Sequence, residues 1–103
     1  MVLRLALDTG ATSTLINTSL LVAIRYDLTL ATDRVEMTTG SGVEFAPVID
    51  VSELSALGKT NNRFSVLGHM LPPSAGVDGL LGLDFFRGHV LTIDFPDKTI
   101  HLS

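Results

Sequence analysis

Apolar and polar positions alternate in short runs along the 103-residue chain, and few of those runs have the length of a helix. Val2 to Leu7 reads as a buried strand with one charge at Arg4, running straight into Asp8-Thr9-Gly10, where Gly10 marks a sharp turn. Thr12 to Ile16 is again β-branched and apolar. Asn17, Thr18 or Ser19 then offers a cap for a short helix carrying Leu20, Leu21, Ile24 and Leu28 near helical spacing, although the same run also fits a strand. Val35 to Ile49 predicts a hairpin, whose arms Val35-Glu36-Met37-Thr38 and Val43-Glu44-Phe45-Ala46 flank Gly40-Ser41-Gly42. Glycines at that tip permit positive φ and leave the loop light. Pro47 suits an edge position, because it has no N–H to give to a ladder.

Asp50 to Leu57 predicts a further strand, ended by a polar turn over Gly58-Lys59-Thr60-Asn61-Asn62, and Phe64 to Leu67 the strand after it. Pro72 to Gly76 is the clearest loop. Val77 to Phe86 is an apolar segment interrupted by Gly79 and Gly82. Val90 to Phe95 and Lys98 to Leu102 predict a closing hairpin across Pro96-Asp97. Phe85, Phe86 and Phe95 are candidate core residues. Asp78 reads as a turn residue, Asp84 as the cap of a short helix at Phe85-Phe86-Arg87, and Asp94 as a solvent-facing strand position.

Composition narrows the function classes. A chain of this length forms one domain, expected over residues 1–103, and buries roughly 60–70% of its unfolded surface. Apolar residues make up 46% and charged residues 17%, which excludes a disordered chain. Eleven acidic residues against seven basic ones give a net charge of −4, with no Lys/Arg cluster, so no nucleic-acid partner is expected. No apolar run approaches the ~20 residues of a membrane span, so no membrane contact is expected within this chain. Met1-Val2-Leu3-Arg4 lacks the form of a secretory signal. Without cysteine there is no disulfide, thiol nucleophile or thiolate metal site, and the redox compartment stays open. His69, His89 and His101 have no metal-like spacing, so neither metal nor cofactor is expected.

The candidate chemistry lies at Leu5-Ala6-Leu7-Asp8-Thr9-Gly10-Ala11-Thr12. A carboxylate emerging from a buried strand into a tight turn is poorly solvated on one side, which opens its ionisation to tuning by neighbours. An Asp beside a Gly is also an ordinary Asx-turn, which needs no catalysis. The pattern fits a D-x-G-x-T phosphate loop as well, but the two-lobed proteins that use that loop need more chain than 103 residues. Downstream, Leu80-Leu81-Gly82 forms a second apolar-apolar-Gly unit, followed by Leu83-Asp84-Phe85-Phe86.

With Leu7-Asp8-Thr9-Gly10-Ala11, the glycine-tipped hairpin, Gly79-Leu80-Leu81-Gly82 and the closing Leu91-Thr92-Ile93-Asp94-Phe95, the chain resembles the single-domain, retropepsin-like aspartic peptidases. That resemblance implies an all-β fold, a closed β-barrel or sandwich of the acid-protease type with one or two short helices. It implies a homodimer in which each subunit supplies Asp8 as the catalytic aspartate. Thr9 would bond across the dimer, with Gly10, Leu81 and Gly82 supporting the catalytic loop. Ala11 and the tip residues Thr39, Gly40, Ser41 and Gly42 would contact a peptide or protein substrate lying extended as an added strand. Two close aspartates share one proton, so one serves as base and the other as acid. The seven residues before Asp8 are fewer than the family usually carries, which implies an excised core of a larger protein or a dimer built differently. Thr12 and Ser13 stand where retroviral enzymes tend to have acidic residues. A catalytically inactive peptide-binding or dimerisation module of the same fold is the alternative, since a fold does not guarantee an activity.

Overall fold

The computed structural model describes residues 1–103, apart from the Thr39 side chain. Strands hold 47% of the chain and the helices are few and short, so the expected β class is what forms. The strands are β1 (Leu5–Leu7), β2 (Leu15–Asn17), β3 (Arg34–Thr39), β4 (Gly42–Ala56), β5 (Lys59–His69), β6 (Gly79–Leu81), β7 (Leu91–Asp94) and β8 (Thr99–Leu102). Two α-helices, α1 (Thr18–Ala23) and α2 (Leu83–Phe86), and two single 3-10 turns complete the chain.

Six strands form one sheet in the order β1-β6-β2-β5-β4-β3, and β7 pairs with β8 as a separate two-stranded sheet. β1 runs parallel to β6, and β2 lies antiparallel to β6 and parallel to β5. The order is open, with β1 and β3 at its ends. The closed barrel expected from the resemblance is not made by these pairings.

β4 differs most from the sequence expectation. Instead of a hairpin arm followed by a separate strand, one 15-residue strand runs straight through Pro47. Residues up to Pro47 pair with β3, and Val48 onward pair with β5. Pro47 stands at the changeover, where a missing donor disturbs the ladder least. The turn into β5 is also tighter than the polar stretch suggested. Ala56 pairs with Lys59 across Leu57 and Gly58, both at positive φ, 54° and 78°, the geometry of a two-residue hairpin turn. Lys59 to Asn62 therefore belong to a strand.

The run after β2 forms a helix, and of the three candidate caps it is Asn17 that caps α1, its side chain accepting from the Ser19 amide at 3.2 Å. The helix stops at Ala23 rather than reaching Leu28. The Tyr26 amide bonds back to the Leu21 carbonyl and the Arg25 amide to the Val22 carbonyl, with Arg25 at φ 75°. This is a Schellman stop built without glycine. Tyr26 is in turn held from outside, its hydroxyl accepting from the Ser52 amide of β4 at 2.8 Å.

Leu15, Ala46 and Leu67 form one apolar cluster within the sheet, and two further clusters fix the frame. Ile16, Leu21, Ile49, Val51 and Val66 bury α1 against β2, β4 and β5. Leu81, Phe85 and Phe86 form the other, where Phe85 is fully buried and meets Phe64 and Phe86 edge to face. Phe95, expected in the core, is instead 82% exposed, because it lies in the turn between β7 and β8, beyond the reach of either cluster.

Candidate active site

Asp8 follows directly on β1, the apolar edge strand, and its peptide N–H donates to the Leu81 carbonyl at 3.0 Å. The strand pairing with β6 thus continues one residue past β1 and carries the carboxylate to the end of the ladder. The side chain is half-buried, and its Oδ1 accepts from the Gly10 amide at 3.0 Å. This local geometry is that of an Asx-turn, so the turn and the catalytic reading of the same residue are compatible. A Cβ at Gly10 would stand 3.3 Å from that oxygen, closer than side-chain atoms ordinarily pack.

The segment after β6 backs this loop. The Leu83 amide donates to the Ala11 carbonyl at 2.8 Å, and the Gly82 amide to the Thr14 hydroxyl at 3.1 Å. Gly82 is buried, and a Cβ there would fall 2.7 Å from the Ser13 carbonyl carbon. Only glycine lets the two backbones meet this closely. Asp8, Gly10, Ala11, Leu81 and Gly82 are therefore brought together. Thr9 is exposed beside Asp8.

Gly40, Ser41 and Gly42 form the exposed tip of the β3–β4 hairpin, where Thr39 pairs with Gly42. β3 and β1 terminate opposite ends of the sheet order. The Thr39 side chain, one of the expected substrate contacts, lies outside the described residues. Further down the hairpin, Glu44 Oε2 stands 3.5 Å from Nδ1 of His69, an ion pair whenever the imidazole is protonated.

Three aspartates take roles that the sequence reading did not assign. Asp84 does not cap α2, whose cap position is Gly82; its carboxylate turns to Thr14 instead. Asp78 is more than a turn residue, since its Oδ2 accepts from the Arg4 amide at 2.7 Å and its own amide donates to the Arg4 carbonyl. It thereby extends the β1–β6 pairing backward. Asp94 faces along its own hairpin, accepting from the Asp97 amide at 3.0 Å. Local spacing holds no signal for Asp84 or Asp78, because their partners lie more than sixty residues away.

A groove of about 780 Å³ opens between β1 and the β4–β5 hairpin, lined by Leu3, Leu5, Leu7, Val51, Leu54 and Ile100 among others. Asp8 is not one of the residues that line this groove, although its neighbour Leu7 is. Among the described residues there is no cluster of three or more metal-ligating side chains, and no helix is long and apolar enough to cross a membrane.

Fold and site together define a mostly-β domain that presents one carboxylate on a glycine turn, backed by a second glycine-bearing segment. A family model described as "gag-polyprotein putative aspartyl protease" matches residues 2–88, and the chain belongs to this retropepsin-like aspartyl protease family. The match ends before β7, so Leu91-Thr92-Ile93-Asp94-Phe95, counted in the resemblance, falls outside it. No curated protein and no solved structure matches the chain.

Proposed function

We propose that this domain is an aspartic endopeptidase, active as a homodimer in which Asp8 of each subunit faces its counterpart across a two-fold axis. The observation that carries the reading is the placement of Asp8. It stands at the end of an apolar strand, fixed through its backbone to Leu81, in a chain of the aspartyl protease family. One chain holds one Asp-Thr-Gly, and acid–base hydrolysis by a carboxylate pair requires two. A two-fold axis supplies the second without further sequence.

Water is the nucleophile in this scheme. Its oxygen adds to the scissile carbonyl carbon as one of its protons passes to the ionised Asp8. The protonated Asp8 of the second subunit gives its proton to the carbonyl oxygen. Collapse of the tetrahedral intermediate breaks the C–N bond, and the amine departs with a proton from the pair. Thr9 bonds across the interface, Gly10, Leu81 and Gly82 hold the loop, and Ala11 lines the floor. Thr39, Gly40, Ser41 and Gly42 close over an extended peptide. Because the pair works with one proton between two carboxylates, the rate passes through a maximum on the acid side of neutral.

The test uses a quenched-fluorescent peptide library as substrate. Asp8→Asn keeps the shape and removes the charge, so cleavage vanishes while the fold persists. Specific activity falls on dilution as dimers dissociate, and excess Asp8→Asn chain poisons the wild type through mixed dimers. Cleavage by folded Asp8→Asn protein, or full specific activity in a strictly monomeric preparation, contradicts the proposal.

A further inference from the structure

Four consecutive residues, Leu81 to Asp84, each hold the loop that carries Asp8. Leu81 accepts from the Asp8 amide at 3.0 Å, Gly82 donates to the Thr14 hydroxyl at 3.1 Å, and Leu83 donates to the Ala11 carbonyl at 2.8 Å. Asp84 supplies the fourth contact. Its Oδ1 and Oδ2 each accept from the Thr14 amide at 3.0 Å, and Oδ1 also accepts from the Thr14 hydroxyl at 2.7 Å. Thr14 is fully buried, and every polar group it owns is engaged, since its carbonyl accepts from the Leu67 amide of β5 at 2.9 Å. Thr14 is thus the point where the loop is joined at once to β5, to the β6 segment and to α2.

The contacts differ in kind. Those through Leu81 and Leu83 are backbone to backbone, and neither needs a particular side chain. Those through Gly82 and Asp84 depend on one side chain each, the Thr14 hydroxyl and the Asp84 carboxylate. The hydroxyl accepts from Gly82 and donates to Asp84, so it relays one contact into the other. A charged acceptor strengthens the hydrogen bonds it receives. Removing the hydroxyl leaves the buried Gly82 amide without its acceptor, a costly state for a buried donor.

The geometry points to Thr14 and Asp84 as positioning residues for the catalytic aspartate: the Asp84 carboxylate, acting through the Thr14 amide and hydroxyl, sets where the Asp8 loop stands. This rests on the reading of Asp8 as the catalytic group. The pair touches no substrate. Its effect is on the orientation of Asp8 toward its counterpart and the attacking water, so it acts on turnover more than on peptide binding.

The test compares Thr14→Val, which is nearly isosteric and lacks only the hydroxyl, with Thr14→Ser, which keeps it, and with Asp84→Asn. Kinetics on a cleaved library peptide are run at protein concentrations where each variant is dimeric, with circular dichroism to establish folding. Thr14→Val and Asp84→Asn are expected to lose about 10²-fold in kcat with KM little changed, the scale on which a small misplacement of a catalytic group acts. Thr14→Ser retains most of the wild-type kcat. Wild-type kcat in folded Thr14→Val, or equal losses in the Ser and Val variants, would overturn the assignment. Failure of both Thr14→Val and Asp84→Asn to fold would also overturn it, because the pair would then be a folding requirement. If the wild type cleaves no peptide, the proposed function falls separately and amide exchange decides the positioning. Faster exchange at Gly10 and Ala11 in Thr14→Val, reversed in Thr14→Ser, supports it; unchanged exchange overturns it.

Discussion

Gly82 and Ser13 meet backbone to backbone: a Cβ built on Gly82 would stand 2.7 Å from the Ser13 carbonyl carbon and 2.8 Å from its oxygen. Neither atom belongs to a side chain that could swing aside. Gly82→Ala therefore has to push the Asp8 loop away from the segment that backs it, at a cost of about 1–3 kcal/mol. Gly40 has no atom within 4 Å of the equivalent position, so Gly40→Ala stays within about 0.5 kcal/mol of wild type. Urea denaturation of the two variants measures the contrast. Equal midpoints would mean that the two backbones do not approach this closely.

The phenylalanines give a second contrast. Phe85 is fully buried between Phe64 and Phe86, and its truncation to Ala leaves a cavity worth about 3–5 kcal/mol. Phe95 is 82% exposed, and Phe95→Ala is expected to stay within about 0.5 kcal/mol. A large loss of stability in Phe95→Ala at low protein concentration, where subunits are separate, would place that ring in the core after all.

Asp27 offers a pH test. The Thr29 hydroxyl and amide both donate to its carboxylate, at 2.6 and 2.9 Å, and hold its pKa below the usual carboxylate value. A group depressed in the folded state contributes stability above its unfolded pKa, and that contribution is lost as pH falls through the folded value. The thermal midpoint of Asp27→Ala should thus lie below wild type at neutral pH, with the gap narrowing on acidification through and below the usual carboxylate range. A gap that widens on acidification would reverse the sign and refute a stabilising role for the Asp27–Thr29 hydrogen bonds.

The tip of the β3–β4 hairpin bears on the proposed substrate closure. Gly40, Ser41 and Gly42 are exposed, and exposed loop tips are where local opening is expected first. Amide exchange at the tip should slow when a peptide with a statine-like hydroxyl is bound. Identical protection with and without that peptide would argue against a closing hairpin.

Much of the fold and site was legible because its signals are local. An apolar strand running into Asp8-Thr9-Gly10 placed Asp8 at a strand end, and the run Asn17-Thr18-Ser19 ahead of Leu20 and Leu21 offered the start of α1, with a strand as the other reading. Gly82 stood out in the sequence through its apolar neighbours, and its burial against Ser13 followed. Turn chemistry and hydrophobic period act over a few residues, so the chain itself displays them.

The tertiary structure decided what depends on distant partners. Nothing near Arg25 marks a helix end, yet α1 stops there, with Tyr26 bonded to Ser52 across twenty-six positions. Pro47 read as an edge residue, but it lies inside β4, an interior strand that continues through it because β5 takes over where β3 leaves off. Asp84 read as a cap and turned out to hold Thr14, seventy residues earlier. A side chain's hydrogen-bonding capacity can be read from its type, but its partner is chosen only when packing brings two remote segments together. The loop that presents Asp8 is held by such pairings.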